Sequence, residues 1–116
     1  MSENKFNVDD AIEHAYRQGY LSGRCAADSR IECIAVHYGY ENQREQFVEE
    51  CAEAILAVQK CKRYGTKENF KNLMNEVADV IIMAQQLRIL MSTREIDEII
   101  NVKLERQMRR IKEENI

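Results

Sequence analysis

"NEVADVIIMAQQL", Asn75 to Leu87, carries apolar side chains almost all the way round a helical wheel, yet it holds two acids one turn apart, Glu76 and Asp79. At about 100° per residue, Asp79 is flanked on the wheel by Ile82 and Met83. A helix that is apolar on nearly every side is expected to be buried. An ionised carboxylate inside such a helix is costly unless it is paired or binds a cation. The stretch therefore sets both a helical fold and a question about its acids.

Outward from it, the pattern stays helical in both directions. The loop KRYGT, Lys62 to Thr66, places Gly65 as a stop and Thr66 as the cap of a helix that runs through Asn75–Leu87 to about Met91. A preceding helix is expected from about Asn42 to Lys62. Beyond Met91, Ser92 and Glu95 form a capping box for a last helix with the stripe Ile96, Ile100, Leu104, Met108 and Ile111. Toward the N-terminus, Asp28 or Ser29 can cap a segment carrying Ile31, Ile34, Ala35 and Tyr38, with Gly39 as its stop. Asn7 or Asp9 can cap an earlier one with Val8, Ile12, Ala15 and Tyr16, weakened or ended by Gly19 to Gly23. The expectation is an all-α bundle of four or five helices without a strand. It forms one domain over residues 1–116, with a helical N-terminal extension (1–36) and a core over about 38–111.

Composition agrees. The chain has 116 residues, no proline, four glycines and 32% charged residues, which favours helices with few sharp turns. A chain of this length buries a modest core unless another copy covers part of its surface, so an oligomer is expected. Seventeen basic against twenty acidic residues give a net charge of -3 with no long basic block, which argues against a nucleic-acid polymer as partner. The first twenty residues lack a basic segment followed by an apolar run, and no stretch approaches ~18 apolar residues, so no signal peptide or membrane span is expected and the location is cytoplasmic. Cys25, Cys33, Cys51 and Cys61 form no CxxC and are read as reduced, mostly buried small side chains. His14 and His37 have no partner motif.

A second group of acids lies in "FVEECAEAI", Phe47 to Ile55. On the wheel Phe47, Val48, Cys51, Ala54, Ile55 and Val58 make an apolar stripe, which Ala52 and Leu56 extend. Glu49, Glu50 and Glu53 share the remaining wedge. A solvated face is the plain reading, but Glu49 and Glu53 are like charges at i, i+4 with no basic residue one turn ahead. Three acids here, facing Glu76 and Asp79 on an antiparallel neighbour, ask for a shared counter-ion. Oxygen donors favour magnesium or manganese. A di-iron centre would use Glu-x-x-His on two helices, and neither histidine has a glutamate three residues before it.

The blocks EECAE (Glu49–Glu53) and EVAD (Glu76–Asp79), twenty-two residues apart, resemble the EExxE…ExxD signature of the MazG-like all-α nucleoside triphosphate pyrophosphohydrolases. NVKLER, Asn101 to Arg106, resembles the family's Asn-x-Lys-hydrophobic-x-Arg segment, so the likeness spans roughly Tyr38 to Ile111. It implies that Glu50, Glu53, Glu76 and Asp79 ligate magnesium, and that Glu49 is a further ligand or orients the attacking water. It assigns the phosphates to Lys103 and Arg106. The implied reaction is hydrolysis of an NTP or dNTP between the α and β phosphates, giving a monophosphate and pyrophosphate, in the service of nucleotide-pool house-cleaning. The implied assembly is a homodimer or homotetramer with the site near the subunit interface.

Beside the resemblance, Lys103, Arg106 and Arg110 fall within about 60° of arc on the last helix. Lys60, Lys62, Arg63, Lys67 and Lys71 make the loop between the acidic helices basic, which would concentrate a polyphosphate nearby. Tyr38 and Gln43, with Tyr40 and Asn42, precede the acidic helix and are candidates for stacking on and hydrogen-bonding a base. The competing reading is a non-catalytic helical assembly or nucleotide-sensing protein that uses its last helix for a partner.

Overall fold

A computed structural model of the chain describes residues 28–115, and these form four α-helices with no strand among them. The helices are α1 (Ser29–Tyr38), α2 (Tyr40–Arg63), α3 (Lys67–Met91) and α4 (Thr93–Glu114). The architecture is an all-α four-helix bundle. The expected helix over Val8–Tyr16, together with His14 and Cys25, lies outside the described residues.

Local chemistry accounts for each boundary. The Asp28 carboxylate accepts a hydrogen bond from the Arg30 backbone N–H at 2.9 Å and caps α1. The Arg30 guanidinium also donates to it, and this bond first of all holds the Asp28 carboxyl below the usual carboxylate range. Gly39 ends α1 and starts α2 with φ 83°, a torsion that costs a side-chain-bearing residue free energy and glycine almost none. Its N–H reaches the Ala35 carbonyl at 2.8 Å and its own carbonyl receives Gln43 N–H at 3.0 Å, so one residue serves both helices.

The α2–α3 turn is three residues long. Helix α2 stops at Arg63 with Tyr64 extended, rather than on a left-handed glycine at position 65. Thr66 Oγ1 accepts from Asn69 N–H at 3.1 Å and caps α3 as expected. Asn69 Nδ2 donates back to the Tyr64 carbonyl at 2.8 Å, which ties the turn to the helix it opens. Ser92 Oγ accepts from Glu95 N–H at 3.2 Å at the start of α4. Caps of this kind are each worth about 1 kcal/mol.

Packing is concentrated between α2 and α3, with α1 laid against both. On α2 the less exposed positions include 43, 47, 50, 54, 57 and 61; on α3 they include 69, 73, 76, 80, 83 and 87. This alternation of three and four residues is the seam of an antiparallel helical hairpin. Among the described residues Cys33, Ala35, Ala57 and Met83 are the buried apolar ones, and Gln43 and Gln86 are buried as well.

Two expectations about burial need correction within the single chain. Val48, Ile55, Leu56 and Val58, assigned to the buried stripe of α2, are exposed, because α2 turns its 43/50/57 edge inward instead. Helix α3 is not covered on all sides either, since Phe70, Met74, Val77, Ile81 and Ile82 face outward. Helix α4 goes furthest: among the described helices it touches only α3, and it contributes no buried residue. Its base is held by a two-pronged contact in which Arg88 Nε and Nη2 donate to the two Asp97 carboxylate oxygens, both at 2.8 Å. That guanidinium holds the Asp97 carboxyl below the usual range. No described helix is long and apolar enough to cross a membrane.

Candidate metal centre

The hairpin register brings the two acidic blocks together. Gln43 lies opposite Gln86, with Nε2 to Oε1 at 2.6 Å. Seven residues further along α2 and seven back along α3, Glu50 meets Asp79. Three residues closer to the turn, Glu53 meets Glu76. One carboxylate oxygen from each of Glu50, Glu76 and Asp79 lies within 4.8 Å of the other two.

Burial divides these acids. Glu50 and Glu76 occupy seam positions and are half-buried, whereas Asp79, expected to be buried, is exposed, as are Glu49 and Glu53. Glu50 is the clearest case of a misplaced residue in a hydrophobic pattern: it takes the inward position between Gln43 and Ala57, on the edge of the helix rather than in a solvated wedge. Its Oε1 accepts from Gln46 Nε2 at 2.9 Å. Its Oε2, and Oε2 of Glu76, are buried with no hydrogen-bond partner. Leaving a buried carboxylate oxygen unsatisfied costs about 1–3 kcal/mol or more, so two of them in one cluster point to a missing positive charge.

Electrostatics agrees with the geometry. The neighbouring Glu76 charge first of all, then lost hydration, a hydrogen bond with Glu76 and the charges of Asp79 and Glu49 push the Glu53 carboxyl above its ordinary range. A raised carboxyl adds stability that is fully present below the unfolded pKa and is lost as pH rises through the folded value. Glu53→Gln, with divalent ions removed by EDTA, is therefore expected to melt at a higher temperature than wild type at pH 7. The difference should close below about pH 4. A thermal melt series across this range checks it, and equal melting temperatures at pH 7 would mean that Glu53 stands apart from the cluster.

The donor set fits a hard divalent cation. All three converging ligand atoms are carboxylate oxygens, they come from two helices held in register, and two of these acids have an oxygen that no protein group satisfies. Glu50, Glu76 and Asp79 would hold a divalent cation, with Glu53 next to them.

The remaining residues singled out in the sequence lie elsewhere. Glu49 is exposed beside Glu50 on α2. Lys103 and Arg106 are exposed on α4, in a groove they share with Glu95, Glu98, Ile99 and Val102; no residue of the acidic cluster lines it. Tyr38 is exposed, its ring edge-on to His37 with centroids 4.7 Å apart, while Gln43 is buried against Gln86. Cys33 is buried and Cys51 and Cys61 are half-buried, all three as free thiols. Gln46 and Gln86 were not singled out in the sequence. Gln46 could have been found from its i, i+4 spacing to Glu50, and Gln86 from its seven-residue spacing to Asp79. Comparisons with protein-family models, with curated proteins and with solved structures give no match for the chain.

Proposed function

We propose that this protein is a magnesium- or manganese-dependent nucleoside triphosphate pyrophosphohydrolase of the MazG-like kind. The observation that carries the reading is the convergence of Glu50, Glu76 and Asp79 from two helices, with buried oxygens of Glu50 and Glu76 left without a partner. The order and spacing of EECAE, EVAD and NVKLER support it.

When bound, the divalent ion supplies positive charge to the phosphate oxygens and acidifies water. Glu50, Glu76 and Asp79 would hold it between α2 and α3, with their carboxylates already converging. Glu49, exposed at the edge of the cluster, orients the attacking water and takes its proton. Water adds to phosphorus, the bond between the α phosphate and the bridging oxygen to the β phosphate breaks, and pyrophosphate leaves. Lys103 and Arg106 hold the phosphates in line for that attack. Tyr38 stacks on the base.

The exposed apolar surface supports an oligomeric assembly. Val48, Ile55 and Leu56 on α2 and Ile100, Leu104 and Met108 on α4 are between 44% and 65% exposed, more apolar side chain than a small soluble monomer usually leaves in contiguous faces. A homodimer or homotetramer would cover them and let α4 of one copy approach the acidic cluster of another, since among the described helices α4 meets only α3. Sedimentation velocity should give a dimer or tetramer.

The reaction is tested by incubating the protein with a panel of NTPs and dNTPs plus magnesium and identifying the products. A monophosphate and pyrophosphate are expected. Orthophosphate with a diphosphate would refute the bond assignment. No turnover of any nucleotide would favour an assembly or sensing protein, which the uncovered stripe of α4 would also suit.

A further inference from the structure

Gln43, a candidate for the base in the sequence, is instead buried against Gln86, and the pair is the most deeply buried polar contact between α2 and α3 among the described residues. Gln86 is 2% exposed and Gln43 6%. The Gln43 amide donates to Gln86 Oε1 at 2.6 Å, and Gln86 Nε2 faces Met83 Sδ at 3.5 Å. We infer that this pair is a positioning device, one that sets the rotation of α2 and α3 about their own axes so that Glu50 and Asp79 face each other. The inference rests on the metal-site reading above.

Helical geometry links the two levels. Seven residues come within about 20° of two full turns, so Gln43 and Glu50 share one edge of α2, and Gln86 and Asp79 share one edge of α3. The pair sits about 10 Å along the hairpin from the acids, at 1.5 Å per residue. On the other side of the acids is the turn at Tyr64–Thr66. The carboxylates are thus held between a short covalent connection at one end and a directional hydrogen bond at the other.

Apolar contacts in the seam do not supply the same constraint. Ala57 and Met83 lose little if a helix rolls by part of a turn, because burial is non-directional. Helix α2 also has a ready alternative face: Val48, Ile55 and Leu56 are apolar and now exposed, and rolling them inward would turn Glu50 toward solvent. The buried amides oppose that roll, since it would break the bond from Gln43 Nε2 to Gln86 Oε1 and leave both groups buried without that partner. A buried polar residue that selects one register against apolar alternatives, at a cost in stability, is a known use of such groups in paired helices.

The test replaces both glutamines with an unbranched side chain of similar length, Gln43→Met/Gln86→Met, in the full chain. Two measurements are made on wild type and variant: the melting temperature in EDTA, and the dissociation constant for Mn²⁺ from loss of the free-ion electron paramagnetic resonance signal. The expected result is a melting temperature that is unchanged or higher, because both polar partners are removed together, with Mn²⁺ binding weakened at least about tenfold, the lower end of what outer-shell support is worth. A merely structural pair would lower the melting temperature and leave Mn²⁺ affinity as it was. Equal Mn²⁺ affinity in a folded variant overturns the positioning role and leaves the metal site standing. No Mn²⁺ binding by wild type overturns the metal site and this inference with it. If the methionine pair gives no cooperative melt, Gln43→Leu/Gln86→Leu carries the same comparison. Failure of both to fold would assign the glutamines to stability alone and overturn the proposal.

Discussion

Asp79→Asn is expected to reduce pyrophosphate release by at least about 100-fold, with helicity retained. Groups that only support a metal ligand from behind are worth about 10- to 100-fold, and Asp79 offers its own oxygen within 4.8 Å of those of Glu50 and Glu76. A carboxamide keeps the shape and one oxygen but removes the charge that a hard cation needs. Glu50→Gln should do as much. It neutralises a half-buried acid whose Oε2 has no protein partner, and it can keep the contact from Gln46 through the remaining oxygen. Initial rates of pyrophosphate formation at saturating nucleotide, measured at several magnesium concentrations, are the check. Full activity in either variant would remove these acids from the chemistry.

The second large effect is on stability and inverts with metal. Without a divalent ion, the charges of Glu76, Asp79 and Glu49 bear on Glu53, a repulsion that raises the Glu53 carboxyl. Asp79→Asn relieves part of it, so in EDTA the variant should melt above wild type. With magnesium or manganese at one hundred times its Kd, a site present only in the folded state adds about 2.7 kcal/mol. In a domain of this size, that is a rise of roughly 10 °C. Asp79→Asn should gain much less, so the two proteins exchange their order as metal is added. Differential scanning calorimetry of both proteins across a magnesium titration reads the crossing. Parallel responses at every concentration would mean that the acids are a solvated face and hold no ion.

Much of this protein is legible one helix at a time. Caps and stops act over three or four residues, so Asp28, Gly39, Thr66 and Ser92 mark in the sequence the boundaries that the structure shows. The opposition of EECAE and EVAD is legible too, because a three-residue turn between two long helices forces an antiparallel pair. What the sequence does not reveal is rotation. The wheel of α2 favours burial of Val48 and Ile55, and the structure instead turns Gln43, Glu50 and Ala57 toward α3. In that arrangement Gln43 is paired with Gln86, forty-three residues further along the chain. The exposure of Asp79 and the reach of α4, which meets only α3 among the described helices, are likewise outcomes of packing. Helix formation and capping are local free energies, carried by neighbours along the chain. The facing of one helix toward another is a difference between alternative burials, and it has no value until both helices are in place.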